Sequence, residues 1–389
     1  MRYGYTEQGA GERFQSPDDL FAPPALIDFI LAYGEHALDA LPDMNEQVRD
    51  LIEQLVQAGL LERDESGRLR LRPRMVRAME HRALLEIFRD MRAGVREGHA
   101  SVAPGRGGER SDGTRPYQFG DPVAELAMHE TLRNALARAA SEGRPPSPPI
   151  RLSEEDFEVY NVESVGESAL CVLIDLSGSM ARYGRHVAAK KVALAMTALV
   201  RRHFPQDTID FVGFASTAAP LKETDLPLVM PRPITTREWE IRIRVPLDQA
   251  ELTHPHFTNL HHALQLARTT LARRGAPNKQ IFIITDGQPT AHLSGDPHSG
   301  GQILNLLYPP NPASEEATLA EAFRCVRAGI RISSFALVEE YEGMDWVGFI
   351  ERLTRLTRGV AFYCAAGDLP GTIVESYLTG KRRRASFGA

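Results

Sequence analysis

Apolar side chains along this chain follow two rhythms, and the change between them divides it. Up to about residue 93 they recur at helical spacing: Leu26, Ile27, Phe29, Ile30 and Leu31 form one stripe, and Val48, Leu51, Ile52, Leu55 and Val56 form a second that Gly59 stops. Pro23-Pro24 opens the first helix, and Pro73 opens another with Met75, Met79 and Leu85 on its apolar side. Between them Leu60-Leu61, the turn Asp64-Glu65-Ser66-Gly67 and the alternating Leu69 and Leu71 predict a tight hairpin. From Ala169 onward short apolar runs of strand length alternate with helical stripes, which predicts a mostly parallel α/β sheet. The helices of this part are predicted over Arg185–Phe204, Leu260–Arg273, Ser314–Ala328 and Trp346–Leu356. Its strands are predicted at Ala169–Ile174, Thr208–Phe214, Gln280–Thr285, Ile330–Val338 and Val360–Tyr363.

The stretch between these regions changes character. Residues 94–116 interleave Gly105, Gly107, Gly108 and Gly113 with Arg106, Arg110, Ser111 and Asp112, a composition that cannot supply a core and predicts a flexible linker. Residues 117–167 then hold an aromatic knot at Tyr117–Pro122, an amphipathic helix over Val123–Ala140 and the extended spacer Pro145-Pro146-Ser147-Pro148-Pro149. The expected organisation is an N-terminal module (1–93), a linker (94–116), a helical connector (117–167), an α/β domain (168–380) and a basic tail (381–389). Two long segments, Thr217–His256 and Ala291–Pro312, interrupt the α/β alternation as loops of the kind that are functional or disordered.

The chemistry concentrates at predicted strand ends. Cys171–Ile174 is followed by Asp175-Leu176-Ser177-Gly178-Ser179, which sets a carboxylate and two hydroxyls at alternate positions on one tight loop. Downstream, Thr258 precedes a helix and Asp286 ends the apolar strand Ile281–Thr285. In an open parallel sheet these segments converge at the carboxyl ends of the strands, where ligands bind. Oxygen donors of this kind suit Mg²⁺, Mn²⁺ or Ca²⁺. Turn chemistry at Ser177-Gly178-Ser179 and helix capping by an aspartate account for single fragments of the pattern. A catalytic role for either serine finds no support, since neither lies in G-x-S-x-G and the nearby histidines match no triad order.

At these residues the chain resembles the von Willebrand factor A (VWA) and integrin I-domain family, over roughly residues 168 to 380. The family's metal-ion-dependent adhesion site, Asp-x-Ser-x-Ser with a separate Thr and Asp, matches Asp175, Ser177, Ser179, Thr258 and Asp286. The resemblance implies a Rossmann-like fold, a bound Mg²⁺ (or Mn²⁺ or Ca²⁺) whose shell a partner's Asp or Glu completes, and a protein-interaction module with no enzymatic activity. Among cytoplasmic members the chain looks like the VWA partners of MoxR-type and magnesium-chelatase AAA+ ATPases, which implies an adaptor role. It has no Walker A motif, so hydrolysis of nucleotide would belong to the partner. The N-terminal pattern resembles a winged helix. The helix that would read DNA carries Glu46, Asp50 and Glu53, which repel phosphate.

Composition narrows the remaining alternatives, a Mg-dependent hydrolase and a nucleic-acid binder. A formal net charge of −6 gives no general attraction to nucleic acid, and the basic run Lys381–Arg384 is local. Three widely separated cysteines, no apolar leader and no apolar run of membrane-spanning length predict a reduced, cytoplasmic protein. His254, His256, His261 and His262 flank Thr258, a position suited to a transition-metal site or a pH switch, although their spacing forms no ligand set.

Overall fold

The computed structural model describes residues 24–44, 46–94, 110–117, 126–143, 150, 152–162, 167–295, 300–337 and 347–385. The chain divides into two compact units, Met1–Gly98 with Glu167–Tyr377 and His99–Gly166 with Leu378–Ala389. Part of the expected linker (95–109), most of the aromatic knot and the proline spacer lie outside the described residues.

The first unit opens with helices α1 (Pro24–Tyr33), α2 (Glu35–Ala40) and α3 (Glu46–Gln57), the hairpin β1 (Leu61–Arg63) and β2 (Leu69–Leu71), and α4 (Pro73–Gly94). The hairpin register pairs Leu61 with Leu71, and Asp64 closes the turn by accepting the Ser66 and Arg68 amides. The small second unit pairs β3 (Arg110–Pro116) antiparallel with β4 (Glu158–Val162), beside α5 (Met128–Ser141). Its polar anchor is the bidentate pair of Arg138 with buried Asp156, at 2.6 and 2.9 Å, which holds the Asp156 carboxyl below its ordinary pKa. Strand β3 corrects the expected linker over residues 110–116. A partner strand more than forty residues away supplies its hydrogen bonds, across a register irregularity between Arg110 and Thr114, so its Gly and Arg content does not decide its conformation.

The remaining strands are β5 (Ser168–Asp175), β6 (Thr208–Phe214), β7 (Ala218–Leu221), β8 (Ile241–Pro246), β9 (Asn278–Thr285), β10 (Ala291–Gly295), β11 (Gln302–Tyr308), β12 (Ile330–Leu337) and β13 (Val360–Cys364). The helices are α6 (Arg185–His203), α7 (Leu260–Ala272), α8 (Pro312–Arg327), α9 (Val347–Thr357) and α10 (Leu369–Ala385). Helix α10 takes in residues 381–385 of the expected basic tail.

A six-stranded sheet runs in the order β13-β12-β9-β5-β6-β7, parallel except for the edge strand β7. Every residue of β5 is buried, as a central strand covered on both faces requires. Cys171, Leu173, Ile281 and Ile283 pack with Leu264, Cys325, Phe349 and Leu353 of α7, α8 and α9. The chain leaves β5 for β6 on one side and later returns to β9 on the other, so a topological switch point falls between β5 and β9.

The two long segments are not loose loops. Strand β8, from the first, pairs with β11 of the second in an antiparallel sheet ordered β10-β11-β8. Their alternating apolar positions, Ile241, Ala291, Leu293, Leu304 and Leu306, close a small core around Phe257.

Helix α6 carries the N-terminal helices. Lys190 is buried and donates to the carbonyls of Leu31 (2.8 Å) and Pro227 (3.2 Å), placing a cation at the carbonyl end of α1; burial pushes its pKa down to about 7. The imidazole of His186 lies between the carbonyls of Ala32 (3.2 Å) and Met180 (3.3 Å). Arg201 reaches buried Glu80 of α4 at 2.7 Å. Gly34 ends α1 at φ 59, and a Cβ there would stand 2.4 Å from the Leu228 carbonyl oxygen. We predict that Gly34→Ala destabilises the protein by more than about 1–2 kcal/mol, the penalty of the left-handed conformation alone. Urea unfolding followed by circular dichroism checks this.

Candidate metal centre

Parallel registry brings the acidic strand ends together. Ile174 faces Ile284 across the β5–β9 ladder, so Asp175 stands beside Thr285, whose hydroxyl donates to Asp175 Oδ2 at 2.6 Å. Asp175 Oδ1 accepts the Ser177 amide at 2.8 Å, which folds the loop back on the strand end. The Ser177 and Ser179 hydroxyl oxygens lie 3.2 Å apart, and Ser179 donates to Asp286 Oδ1 at 2.7 Å. Asp175, Ser177, Ser179 and Asp286 thus form one continuous group of oxygens at the switch point.

The hydrogen bonds that hold Thr258 run through its backbone and do not join it to this group. Its amide donates to Thr290 Oγ1 at 2.9 Å, and its carbonyl accepts the amides of Thr290 and Ala291. The preceding turn meets the serine loop where the Gly178 amide donates to the His256 carbonyl at 3.1 Å. Ser216, just beyond β6, locks the turn from behind: its hydroxyl donates to His254 O and accepts the Phe257 amide, and its carbonyl accepts Asn259 Nδ2. Asn259 then caps α7 by accepting the His262 amide. Gly178 has a steric reason as well, because a Cβ there would sit 2.5 Å from Ile234 Cγ1 of the first long segment.

Two residues that the sequence pattern did not mark complete the arrangement. Thr285, hidden as the last residue of an apolar strand, orients Asp175. Arg185, the first residue of α6, donates from Nη1 to Asp286 Oδ2 at 2.7 Å with both side chains buried. A cation in the first turn of a helix opposes the macrodipole, and that misplaced charge was the signal available in the sequence.

The histidines divide by role. His261 and His262 accept the amides of Leu293 and Ala218, and burial lowers both pKa values, that of His261 to about 4. His254 and His256 instead flank Thr235. The first pair thus serves separate backbone contacts and the second pair shares one threonine. Among the described residues no group of three or more His, Cys, Asp or Glu is placed to hold a metal ion, so a centre here would depend on hydroxyl oxygens. The donors at the switch point, two carboxylates with serine and threonine hydroxyls, are all hard oxygens and fit a divalent cation of the Mg²⁺ class.

A mostly parallel sheet with helices on its faces and an Asp-x-Ser-x-Ser loop at its switch point is a von Willebrand factor A domain, a class of protein-interaction module. More narrowly, the chain belongs to the Rv0959-like protein family: residues 168–378 match its vWA domain and residues 109–162 its third domain. The protein Rv0959 of Mycobacterium tuberculosis (strain ATCC 25618 / H37Rv) is 30% identical over 331 residues, 85% of this chain and 44% of that protein. A Mycobacterium bovis relative, Mb0984, matches to the same extent, so the match spans less than half the length of these curated relatives. Among solved structures, the PilB minor pilin from Streptococcus sanguinis is 15% identical, with 59% of this chain and 64% of that chain covered at a TM-score of 0.40. BatB from Bacteroides thetaiotaomicron is also 15% identical, with 56% and 100% covered at a TM-score of 0.34.

Burial, and after it the neighbouring Asp286, push the Asp175 carboxyl up to about 7. An acid whose pKa is higher folded than unfolded binds more protons in the native state between the two values, so its contribution to stability falls as pH rises through that window. We predict that Asp175→Asn, in EDTA, flattens the decline of stability between about pH 4 and 7 relative to the parent chain. The variant should also be the more stable of the two at pH 7.5, because Asn keeps an acceptor for the Ser177 amide without the charge. Melting curves across that range, compared pairwise, cancel the parallel contribution of Glu80, whose pKa burial also raises to about 7.

Proposed function

We propose that the chain is a metal-dependent protein-interaction module in which Asp175, Ser177, Ser179, Thr258 and Asp286 hold one Mg²⁺ or Mn²⁺ that grips an acidic side chain of a partner. The observation that carries this reading is the continuous oxygen group joining Asp175, Ser177, Ser179 and Asp286 at the strand ends. A set with only two carboxylates, one of them paired with Arg185, leaves a divalent cation short of ligands and of negative charge. An incoming Asp or Glu supplies both.

The surroundings suit a macromolecular partner. Ile234, packed on Gly178, stays 56% exposed, and Trp239, five residues further along the same segment, is 88% exposed. The resemblance to VWA partners of MoxR and chelatase ATPases makes an AAA+ ATPase the partner of choice, with this chain as its adaptor in the cytoplasm. On this reading the chain binds and performs no chemistry of its own; nucleotide hydrolysis belongs to the ATPase.

A ligand that binds only the native state raises apparent stability by about 2.7 kcal/mol at a hundred times its dissociation constant, so melting should move upward with Mg²⁺ or Mn²⁺ and return with EDTA. Asp175→Ala should remove the shift. A folded Asp175→Ala protein with the parent's metal response would refute the centre. Partner binding should be lost both in EDTA and in Thr258→Ala; an interaction that survives both lies elsewhere on the chain.

A further inference from the structure

We propose that Arg185 is a tethered cation that competes with the metal for Asp286 and thereby sets how tightly the centre holds it. The inference rests on the metal reading above and concerns the chain's own residues.

Arg185 is 1% exposed by its side chain and Asp286 is 0% exposed, and the 2.7 Å contact joins Nη1 to Oδ2. Nothing in the local helix explains a cation there. The first turn of α6 carries no acidic residue, and positive charge at a helix N-terminus is disfavoured, the more so when buried. The approach to it is also strained. Tyr183 and Gly184 take successive left-handed conformations, at φ 53 and 67, and Tyr183 is not a glycine. Beside that bend the Arg185 guanidinium lies 5.2 Å from the centre of the Tyr183 ring, a cation–π contact. Backbone strain and an unfavourable helix position are both accepted where a guanidinium stands on the Asp286 carboxylate.

The consequence follows from charge and from lone pairs. Ser179 already donates to Asp286 Oδ1 and Arg185 to Oδ2, so a divalent cation meets a carboxylate with both oxygens engaged. Two aspartates bring two negative charges and Arg185 cancels one of them. A divalent ion then leaves one positive charge, where the two aspartates without the arginine would leave none. The arginine therefore weakens metal binding in isolation and leaves the loaded centre with a charge that an acidic ligand neutralises. Metal and acidic ligand reinforce each other, and by linkage the reinforcement is mutual.

The test is calorimetric titration of the full chain with Mn²⁺, with folding followed by circular dichroism. Arg185→Gln should bind Mn²⁺ tighter by on the order of tenfold or more, since it removes a buried unit charge near the ion. Arg185→Lys should stay close to the parent, and adding Asp175→Ala to each should abolish binding. Equal or weaker Mn²⁺ affinity in folded Arg185→Gln, still dependent on Asp175, overturns the inference and leaves the metal centre standing. Absence of Asp175-dependent binding in every variant sinks the metal reading, and the inference with it. Nitrogen-15 NMR of the parent chain gives a readout that needs no Arg185→Gln protein: the Arg185 guanidinium resonance, assigned by its loss in Arg185→Lys, should move as Mg²⁺ saturates the centre. A resonance that stays still while Mg²⁺ binds overturns the inference equally.

Discussion

Two carboxylates placed at the ends of adjacent parallel strands, out of reach of bulk water, repel each other, and the architecture around β5 and β9 answers that repulsion. Asp175 accepts hydrogen bonds from the Ser177 amide and the Thr285 hydroxyl, which oppose the rise in its pKa that burial, and after it Asp286, impose. Asp286 is satisfied by a hydroxyl and a guanidinium. The asymmetry assigns the two acids different roles. One is a carboxyl held by neutral donors with its pKa raised by burial, and the other is the salt-bridge partner of a buried arginine. The buried arginine offsets part of the repulsion between the acids, since an unpaired buried charge would cost several kcal/mol.

The long segments matter for the same reason. On the proposed metal reading, a threonine far from both aspartates in sequence needs a rigid support. Thr258 follows Phe257, which is a member of the small core between β8, β10 and β11, and its backbone is held by Thr290 at the entrance to β10. The segments therefore add a second sheet whose packing fixes the backbone around Thr258, while Ile234 from the first of them leans on Gly178. Position there is set by hydrophobic burial and backbone hydrogen bonds, which hold a geometry better than a loop on its own could.

Much of this was legible from residue order. Strand ends carry a clear signal when an apolar run stops at an aspartate, and parallel α/β alternation puts such ends on one edge of the sheet, so the fold and its acidic edge could be read before any coordinates. The N-terminal hairpin was readable because Asp64–Gly67 is turn chemistry between leucine pairs. What escaped had no periodic signature. Residues 110–116 read as linker because their composition is that of one, yet pairing with Glu158–Val162 makes them a strand; a ladder partner distant in sequence leaves no local trace. The insertions read as loops because Gly, Pro and Asn mask short alternating strands whose partners lie in each other. Thr285 passed as part of an apolar run. Arg185 passed as an ordinary helical residue, though its place in the first turn contradicts the helix dipole. A local rule broken without local compensation points to a distant partner, and here the partner was the acid of the site.

Helix α6 connects these observations. Its first residue holds Asp286, its second lies between the carbonyls of Met180 and Ala32, and Lys190, one turn on, takes the carbonyls of Leu31 and Pro227. The centre and the end of α1 are thus held by side chains projecting from less than two turns of one helix. A helix is stiff over that length, because each residue shares its hydrogen-bond ladder with neighbours four positions away. A buried lysine and a buried arginine on the same short span are both stabilised by oxygens that other segments supply. Neither the docking of α1 nor the geometry of Asp286 is therefore a local property. Each depends on how α6 is seated against the sheet, which makes the N-terminal helices part of the frame that shapes the centre.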